Sequence, residues 1–233
     1  MKTTALVLAL LMGAATLPAR ANEAEDKKKV NERLETAGEV MKEIMATPDK
    51  SIPDDLLNKA ACAVIVPGVK KGAFIVGARY GKGFVTCRKK GGVGWSAPGA
   101  VRIEGGSFGF QIGGEETDVV MLVMNARGAE KLLSSKFTLG GEGSVAAGPV
   151  GRTAAAETDA VLHAEILTWS RSRGVFGGIS LAGATLRNDL DDNEAMYGSK
   201  LDNKAVVYSR RAAPKAAQPL LAILTKHSPR EKH

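Results

Sequence analysis

Five glycines and one proline mark the stretch Phe137-Thr138-Leu139-Gly140-Gly141-Glu142-Gly143-Ser144-Val145-Ala146-Ala147-Gly148-Pro149-Val150-Gly151-Arg152. Within it, residues 141–146 match the G-x-G-x-x-A pattern of a dinucleotide-binding loop, which binds phosphate only where it opens a helix. Gly148 and Pro149 would stop such a helix within one turn. We therefore predict that these glycines permit bends and close contact between strands, and that Gly148→Val damages folding before it affects binding.

Strands outnumber helices on both sides of this stretch. Short apolar runs between glycine-rich turns predict strands at 61–66, 72–79, 83–88, 101–103, 107–112, 117–124, 161–170 and 175–181. Short helices are predicted at 52–60, 127–133 and 189–197. Since strands and helices do not alternate regularly, we predict an α+β fold. Its body is a mainly antiparallel, glycine-rich sheet, curved or barrel-like, with an N-terminal amphipathic helix and a few short helices.

The N-terminal helix is predicted at 23–46. Its apolar residues recur at the spacing of one helix face, and they are Val30, Leu34, Ala37, Met41, Ile44 and Met45. Two interpretations are open: the stripe packs on the domain core, or the helix lies on a membrane surface. The segment has seven acidic and five basic residues. Because membrane-surface helices usually have a cationic polar face, this balance favours packing on the core.

The first 21 residues have the features of a secretory signal peptide. A basic start at Lys2 precedes an apolar run, and Ala19-Arg20-Ala21 fits a small-residue cleavage site. We expect cleavage near Ala21/Asn22, so that the mature protein is periplasmic or secreted. The apolar run is too short for a membrane-spanning helix.

The net charge of +7 comes from the two ends of the chain. Residues 22–209 contain 24 basic and 24 acidic side chains. A domain that binds nucleic acid is usually basic, so we expect no nucleic-acid partner. We predict that 22–209 form a single domain with its β-rich body at 52–209. The basic segment 210–233 is predicted to be a poorly ordered tail.

The two cysteines, Cys62 and Cys87, fall in the first and third of three consecutive predicted strands. In a simple meander these outer strands would lie roughly 9–10 Å apart. A disulfide needs Cα atoms within about 7 Å of each other. Although export would permit a disulfide, this spacing favours two buried free thiols.

Patterns associated with catalysis or metal binding lack the context that they need. Gly105-Gly106-Ser107-Phe108-Gly109 matches G-x-S-x-G, but a strand-like sequence follows it instead of a helix. The acidic segment 189–194 lacks the glycine and glutamate positions of a calcium loop, and is better interpreted as the start of a helix. We therefore predict a non-enzymatic protein with no cofactor and no metal site.

The order of several segments resembles the SYLF family, the lipid-binding and yeast Las17-binding actin-regulator type. The resemblance covers about residues 30–200. The matching segments are Ile52-Pro53, Ala63-Val64-Ile65-Val66-Pro67, Lys70-Lys71-Gly72, Gly77-Ala78-Arg79-Tyr80-Gly81-Lys82-Gly83, Trp95-Ser96-Ala97-Pro98, Gly109-Phe110-Gln111-Ile112-Gly113, 118–125, Phe137-Thr138-Leu139-Gly140, Ala147-Gly148-Pro149-Val150-Gly151-Arg152, Ser170-Arg171-Ser172-Arg173-Gly174 and 193–198.

The resemblance implies a binding module whose eukaryotic relatives associate with phosphoinositide-containing membranes, partly through an amphipathic N-terminal helix, and in some cases with actin. It implies that head-group candidates on the helix are Lys27, Lys28, Lys29 and Arg33. Basic residues near the ends of predicted strands form either a second head-group patch or solvated turns, and they are Lys70, Lys71, Arg79 and Lys82.

We therefore expect an exported, membrane-associated module that binds an anionic phospholipid or phosphoinositide-type head group. The alternative is an envelope protein-interaction or structural module, which resembles the actin-binding function of the eukaryotic relatives.

Overall fold

The structure is a computed structural model that describes residues 17–47, 51–73, 76–89, 91, 93–108, 115–149, 163–172, 175–178 and 181–229. Several predicted segments lie partly outside the described residues. They are the signal peptide up to residue 16, the strands at 72–79, 107–112, 161–170 and 175–181, and the last residues of the tail at 210–233. The glycine-rich stretch is described as far as Pro149.

Nine strands form one sheet, which curls into a half-barrel. The strands are β1 (Cys62–Ala73), β2 (Val76–Cys87), β3 (Gly99–Phe108), β4 (Glu115–Val123), β5 (Lys136–Thr138), β6 (Val145–Ala147), β7 (Ile166–Ser172), β8 (Val175–Gly178) and β9 (Thr185–Asn188). Their order is β5-β9-β3-β2-β1-β4-β7-β6, and β8 also pairs with β7. Every pairing is antiparallel except that of β6 with β7. The predicted fold class is confirmed.

Helices flank this sheet. They are α1 (Leu17–Ala46), α2 (Asp54–Lys59), α3 (Ala126–Leu132), α4 (Leu190–Tyr197), α5 (Asn203–Val207) and α6 (Gln218–His227), with a 3₁₀ turn at Lys215–Ala217. The predicted acidic start of α4 is confirmed, because the side chain of its N-cap residue Asp189 accepts a hydrogen bond from the N–H of Asp192. Asn125 and Asp202 cap α3 and α5 in the same way.

The alternation of side chains along the strands divides the core into two clusters. In β1, Ala63 and Ile65 face the cluster that contains α1, whereas Val64 and Val66 face the cluster that contains α3 and β9. The whole predicted apolar stripe of α1 is buried, together with Val40. The interpretation that the stripe packs on the domain core is therefore confirmed. The same stripe is not exposed to contact a membrane.

The prediction of a poorly ordered tail is wrong for the segment that contains α6. Leu220 and Leu224 are fully buried, and α6 packs along α1. Arg88 holds the end of this segment, because its Nη1 donates to the carbonyl of Ser228 at 2.7 Å while Nη2 donates to the carbonyl of Leu57 at 3.1 Å. Although the segment is basic overall, one face of α6 is apolar and packs into the core.

The prediction of free thiols is also wrong. Cys62 and Cys87 form a disulfide, and their Cα atoms lie 3.9 Å apart. The error came from splitting the chain into three strands, with breaks after residue 66 and after residue 79. Instead, β1 continues through a bulge between Val66 and Val69, and β2 runs without a break from Val76 to Cys87. β1 and β2 are therefore a single long hairpin of two 12-residue strands. The two cysteines are directly opposite each other in its register.

The glycine-rich stretch forms sheet and turn, as predicted, in the part that the structure describes. It begins in β5, turns at residues 140–142 and continues into β6. Gly148 then lies against the ring of Trp169, where a Cβ atom at position 148 would be 2.1 Å from two ring carbons. The indole Nε1 of Trp169 donates to the carbonyl of Pro149 at 2.9 Å. The stretch thus closes tightly over a buried aromatic side chain.

Candidate functional site

An open cleft of about 620 Å³ lies between α1 and the adjoining parts of β1, β4 and β7. Most of its lining is polar or charged. The lining residues are Glu32, Arg33, Thr36 and Glu43 from α1, Pro67 and Gly68 from β1, Glu116 and Asp118 from β4, and Arg171 from β7.

The bulge in β1 forms the floor of the cleft. Gly68 has a φ of 57°, a conformation that disfavours residues with a side chain. Its N–H donates to Asp118 Oδ1 at 2.9 Å. A Cβ atom at this position would be 2.6 Å from Glu116 Oε1, so the glycine also leaves room for that carboxylate. The bulge thereby presents two acidic side chains of β4 to the cleft.

Arg171 links the sheet to α1 across the cleft. Asp118 and Arg171 are opposite each other in the β4–β7 register. Arg171 Nε and Nη2 donate to Asp118 Oδ2 at 3.0 and 2.7 Å, and Nη1 donates to Glu43 on α1. Burial raises the pKa of Asp118, the N–H of Gly68 opposes this shift, and repulsion from Glu116 adds to it.

A second ionic cluster joins α1, β2 and α4 beside the cleft. Lys82 Nζ lies 2.8 Å from Asp189 Oδ2 and 2.9 Å from Asp192 Oδ1, and Arg33 pairs with the second oxygen of Asp192. Burial lowers the pKa of Lys82, but its hydrogen bonds and charge interactions with the two carboxylates outweigh burial, so the pKa is raised overall. This cluster fixes α1 and α4 to the sheet.

The predicted head-group residues on α1 divide by position. Lys27, Lys28 and Lys29 are exposed in the N-terminal half of the helix. Lys28 and Lys29 pair with acidic residues one turn away on α1, at 3.8 and 2.6 Å. Such exposed pairs contribute little to stability. Arg33, in contrast, is bound to Asp192.

The predicted residues on the β1–β2 hairpin also divide. Lys71 and Arg79 are opposite each other in the register, and Lys70 is opposite Tyr80. Lys82 lies close to Arg33, because both side chains bind the carboxylate of Asp192. Head-group binding by any of these basic residues stays a prediction.

Sequence reasoning missed the central contacts of the cleft. Asp118 stands at the start of the apolar run 119–123, and Arg171 stands in the last residues of β7. A charged residue beside an apolar strand was the available signal. The pairing required knowing that β4 and β7 are neighbours although the two residues are 53 positions apart.

Catalytic and metal-binding patterns remain without support in the part of the chain that the structure describes. Ser107 lies in β3, which is described as far as Phe108. Among the described residues, no group of three or more His, Cys, Asp or Glu side chains is arranged to hold a metal ion. Across those same residues, no helix combines the length and the apolar character needed to cross a membrane.

The family model of Las17-binding protein actin regulators, the Ysc84 type, matches residues 104–227, which is more than half of the chain. The chain belongs to this Ysc84, or SYLF, family. The family is of a binding and regulatory type and is not an enzyme family.

Curated relatives from yeast and vertebrates are similar to most of this chain. It is 36% identical over 180 residues to LAS seventeen-binding protein 3 of Saccharomyces cerevisiae, covering 76% of this chain and 39% of that protein. It is 37% identical over 180 residues to SH3 domain-containing YSC84-like protein 1 of Xenopus laevis, covering 76% of this chain and 53% of that protein. The chain thus spans about two fifths to one half of the length of these relatives.

Proposed function

We propose that this protein is an exported, non-catalytic binding module that recognises a protein partner of the cell envelope at the cleft beside α1. The open, charged cleft of about 620 Å³ carries the proposal. Its polar lining and rigid support by two ionic clusters suit recognition of polar and charged groups. The Las17-binding names of the family model and of the yeast relative support a protein partner.

Export is supported by two independent features. Residues 1–21 have the pattern of a secretory signal peptide with cleavage near Ala21/Asn22. The disulfide between Cys62 and Cys87 is buried, and structural disulfides persist in oxidising compartments such as the periplasm. A periplasmic or secreted location follows from this proposal. Fractionation of cells that produce the full chain tests it, and recovery of the uncleaved protein in the cytosol would refute it.

The partner is tested by capture from envelope extracts. Thr36 is an exposed residue in the cleft wall, so Thr36→Trp fills the cleft without replacing a core residue. Glu39→Trp places the same side chain on an exposed position of α1 outside the lining. We expect mass spectrometry to identify proteins that wild type and Glu39→Trp capture and Thr36→Trp loses. Equal capture by all three proteins would refute binding at the cleft.

A second candidate function is binding of anionic phospholipid or a phosphoinositide-type head group. The exposure of Lys27, Lys28 and Lys29 favours it, because adjacent exposed lysines attract anionic lipid surfaces. Since the apolar stripe of α1 is buried, this binding would be electrostatic and would not insert the helix. Co-sedimentation with anionic vesicles at low salt should fall when all three lysines are changed to glutamine. Absence of wild-type binding at low salt would exclude it.

A further inference from the structure

Negative charge exceeds positive charge in the lining of the cleft. The acidic residues of the lining are Glu32, Glu43, Glu116 and Asp118. Arg33 and Arg171 are its two basic residues. Arg33 is paired to Asp192, which is not part of the lining, and Arg171 is shared between two of the four carboxylates. The negative charge of the lining residues is therefore not neutralised by the two arginines of the lining.

The arrangement around Arg171 shows how this cleft holds a guanidinium group. Asp118 accepts two hydrogen bonds from the group, and Glu43 on α1 accepts a third. Arg171 is only 21% exposed in this position, so the carboxylates bind it in a largely desolvated setting. The same chemistry is available to a second cation that enters from solvent.

Two carboxylates of the lining remain available. The ion pair of Glu32 with Lys28 is 3.8 Å long and both side chains are mostly exposed, so it is weak. Glu116 is exposed, and no cation in the described part of the chain forms an ion pair with it. Its register partner on β1 is Lys70, which is exposed beside it. Glu32 on α1 and Glu116 on β4 both line the cleft.

We propose that the cleft binds an arginine or lysine side chain from a segment of the partner protein, with Glu32 and Glu116 as its two carboxylate acceptors. The charge complementarity between an acidic cleft and a basic side chain carries this inference, which rests on the proposed protein-binding function. It names the chemistry of the partner: an exposed basic segment, not an acidic peptide and not an anionic lipid.

The test uses the full, disulfide-intact protein and three acetylated hexapeptides that alternate glycine with arginine, glutamine or glutamate. Fluorescence anisotropy measures affinity at low salt. We expect binding of the arginine peptide alone, weakened about threefold by Glu32→Gln or Glu116→Gln and about tenfold by both, as for exposed ion pairs. Glu39→Gln makes the same charge change on the exposed face of α1 and should leave the affinity unchanged. Lys70→Gln should strengthen binding, because it removes a competing cation beside Glu116.

Several results would overturn the inference. One is equal binding of the arginine and glutamine peptides, and another is equal weakening by Glu39→Gln. A third is displacement of the arginine peptide by millimolar CaCl₂ to the same extent from the wild type and from Glu116→Gln, because the displaced peptide would then not be bound by Glu116. If the peptide fails to bind but Thr36→Trp still abolishes capture of an envelope protein, this inference falls and the proposed function stands. If both fail, both are wrong. Thermal melting of each variant confirms that it is folded.

Discussion

Replacing Gly148 with valine should destabilise the protein strongly. A Cβ atom at position 148 would be 2.1 Å from two ring carbons of Trp169, a side chain with no exposed surface. Overpacking of this kind costs about 1–3 kcal/mol. Displacing the indole also endangers its 2.9 Å hydrogen bond to the carbonyl of Pro149, which contributes about 1 kcal/mol. The total is about 2–4 kcal/mol, a large part of the usual stability of a domain.

Thermal unfolding followed by circular dichroism measures the effect. For a chain of this size the loss corresponds to a fall in Tm of about 5–15 °C. Gly106→Val is a matched control, because a Cβ atom at Gly106 would meet nothing within 4 Å. The double variant Gly148→Ala with Trp169→Leu should lose less free energy of unfolding than the sum of the losses in the two single variants, because the smaller leucine side chain relieves the overlap.

A Gly148→Val protein that melts within about 2 °C of the wild type would show that Trp169 does not exclude a side chain at position 148. A Gly148→Val protein that is stable but has lost only its ligand would show that the stretch is a binding site. That result would remove the basis for interpreting these glycines as part of the sheet.

Three further perturbations test other parts of the fold. Burial raises the pKa of Tyr197, because the fold favours its neutral phenol. The contribution of this phenol to the free energy of unfolding is present below the ordinary tyrosine pKa of about 10 and is lost as the pH rises above that value. Absorbance titration of the native protein at 295 nm should show a tyrosine that ionises only on unfolding, and Tyr197→Phe should lack it. Serine at both Cys62 and Cys87 should lower the free energy of unfolding in urea by about 3 kcal/mol, for a sequence separation of 25; an unchanged midpoint would contradict this. Leu224→Ala in the buried face of α6 should cost about 3 kcal/mol, and the same change at Leu190, which is 41% exposed, should cost much less; equal losses in urea unfolding would show that α6 does not complete the core.

Local and periodic signals were enough to predict much of the fold. The spacing of Val30, Leu34 and Met41 identified the buried face of α1, and Asp189 marked the start of α4. The frequency of short apolar runs indicated an antiparallel sheet. These features depend on residues close in sequence, so a single sequence is sufficient to find them.

The failures concern residues that come together only in the folded chain. Pro67-Gly68 resembles a turn, yet the bulge there lets β1 continue and aligns Cys62 with Cys87. The cleft escaped prediction for the same reason, because Asp118 and Arg171 meet only once β4 and β7 are paired. The basic residues proposed from the resemblance were easy to find in the sequence. Their binding role depends on a ligand and stays a prediction.

The contact between α1 and α6 has a consequence for how the chain reaches its folded state. These are the first and last helices of the described chain, and Leu220 and Leu224 belong to the same core cluster as the stripe of α1. This contact joins segments far apart in sequence, so it cannot form until nearly the whole chain is present, and contacts of this kind slow folding. A nascent chain without α6 exposes an apolar strip, which is a substrate for chaperones. Under the proposed export, late closure of this kind keeps the chain from folding before it has crossed the membrane.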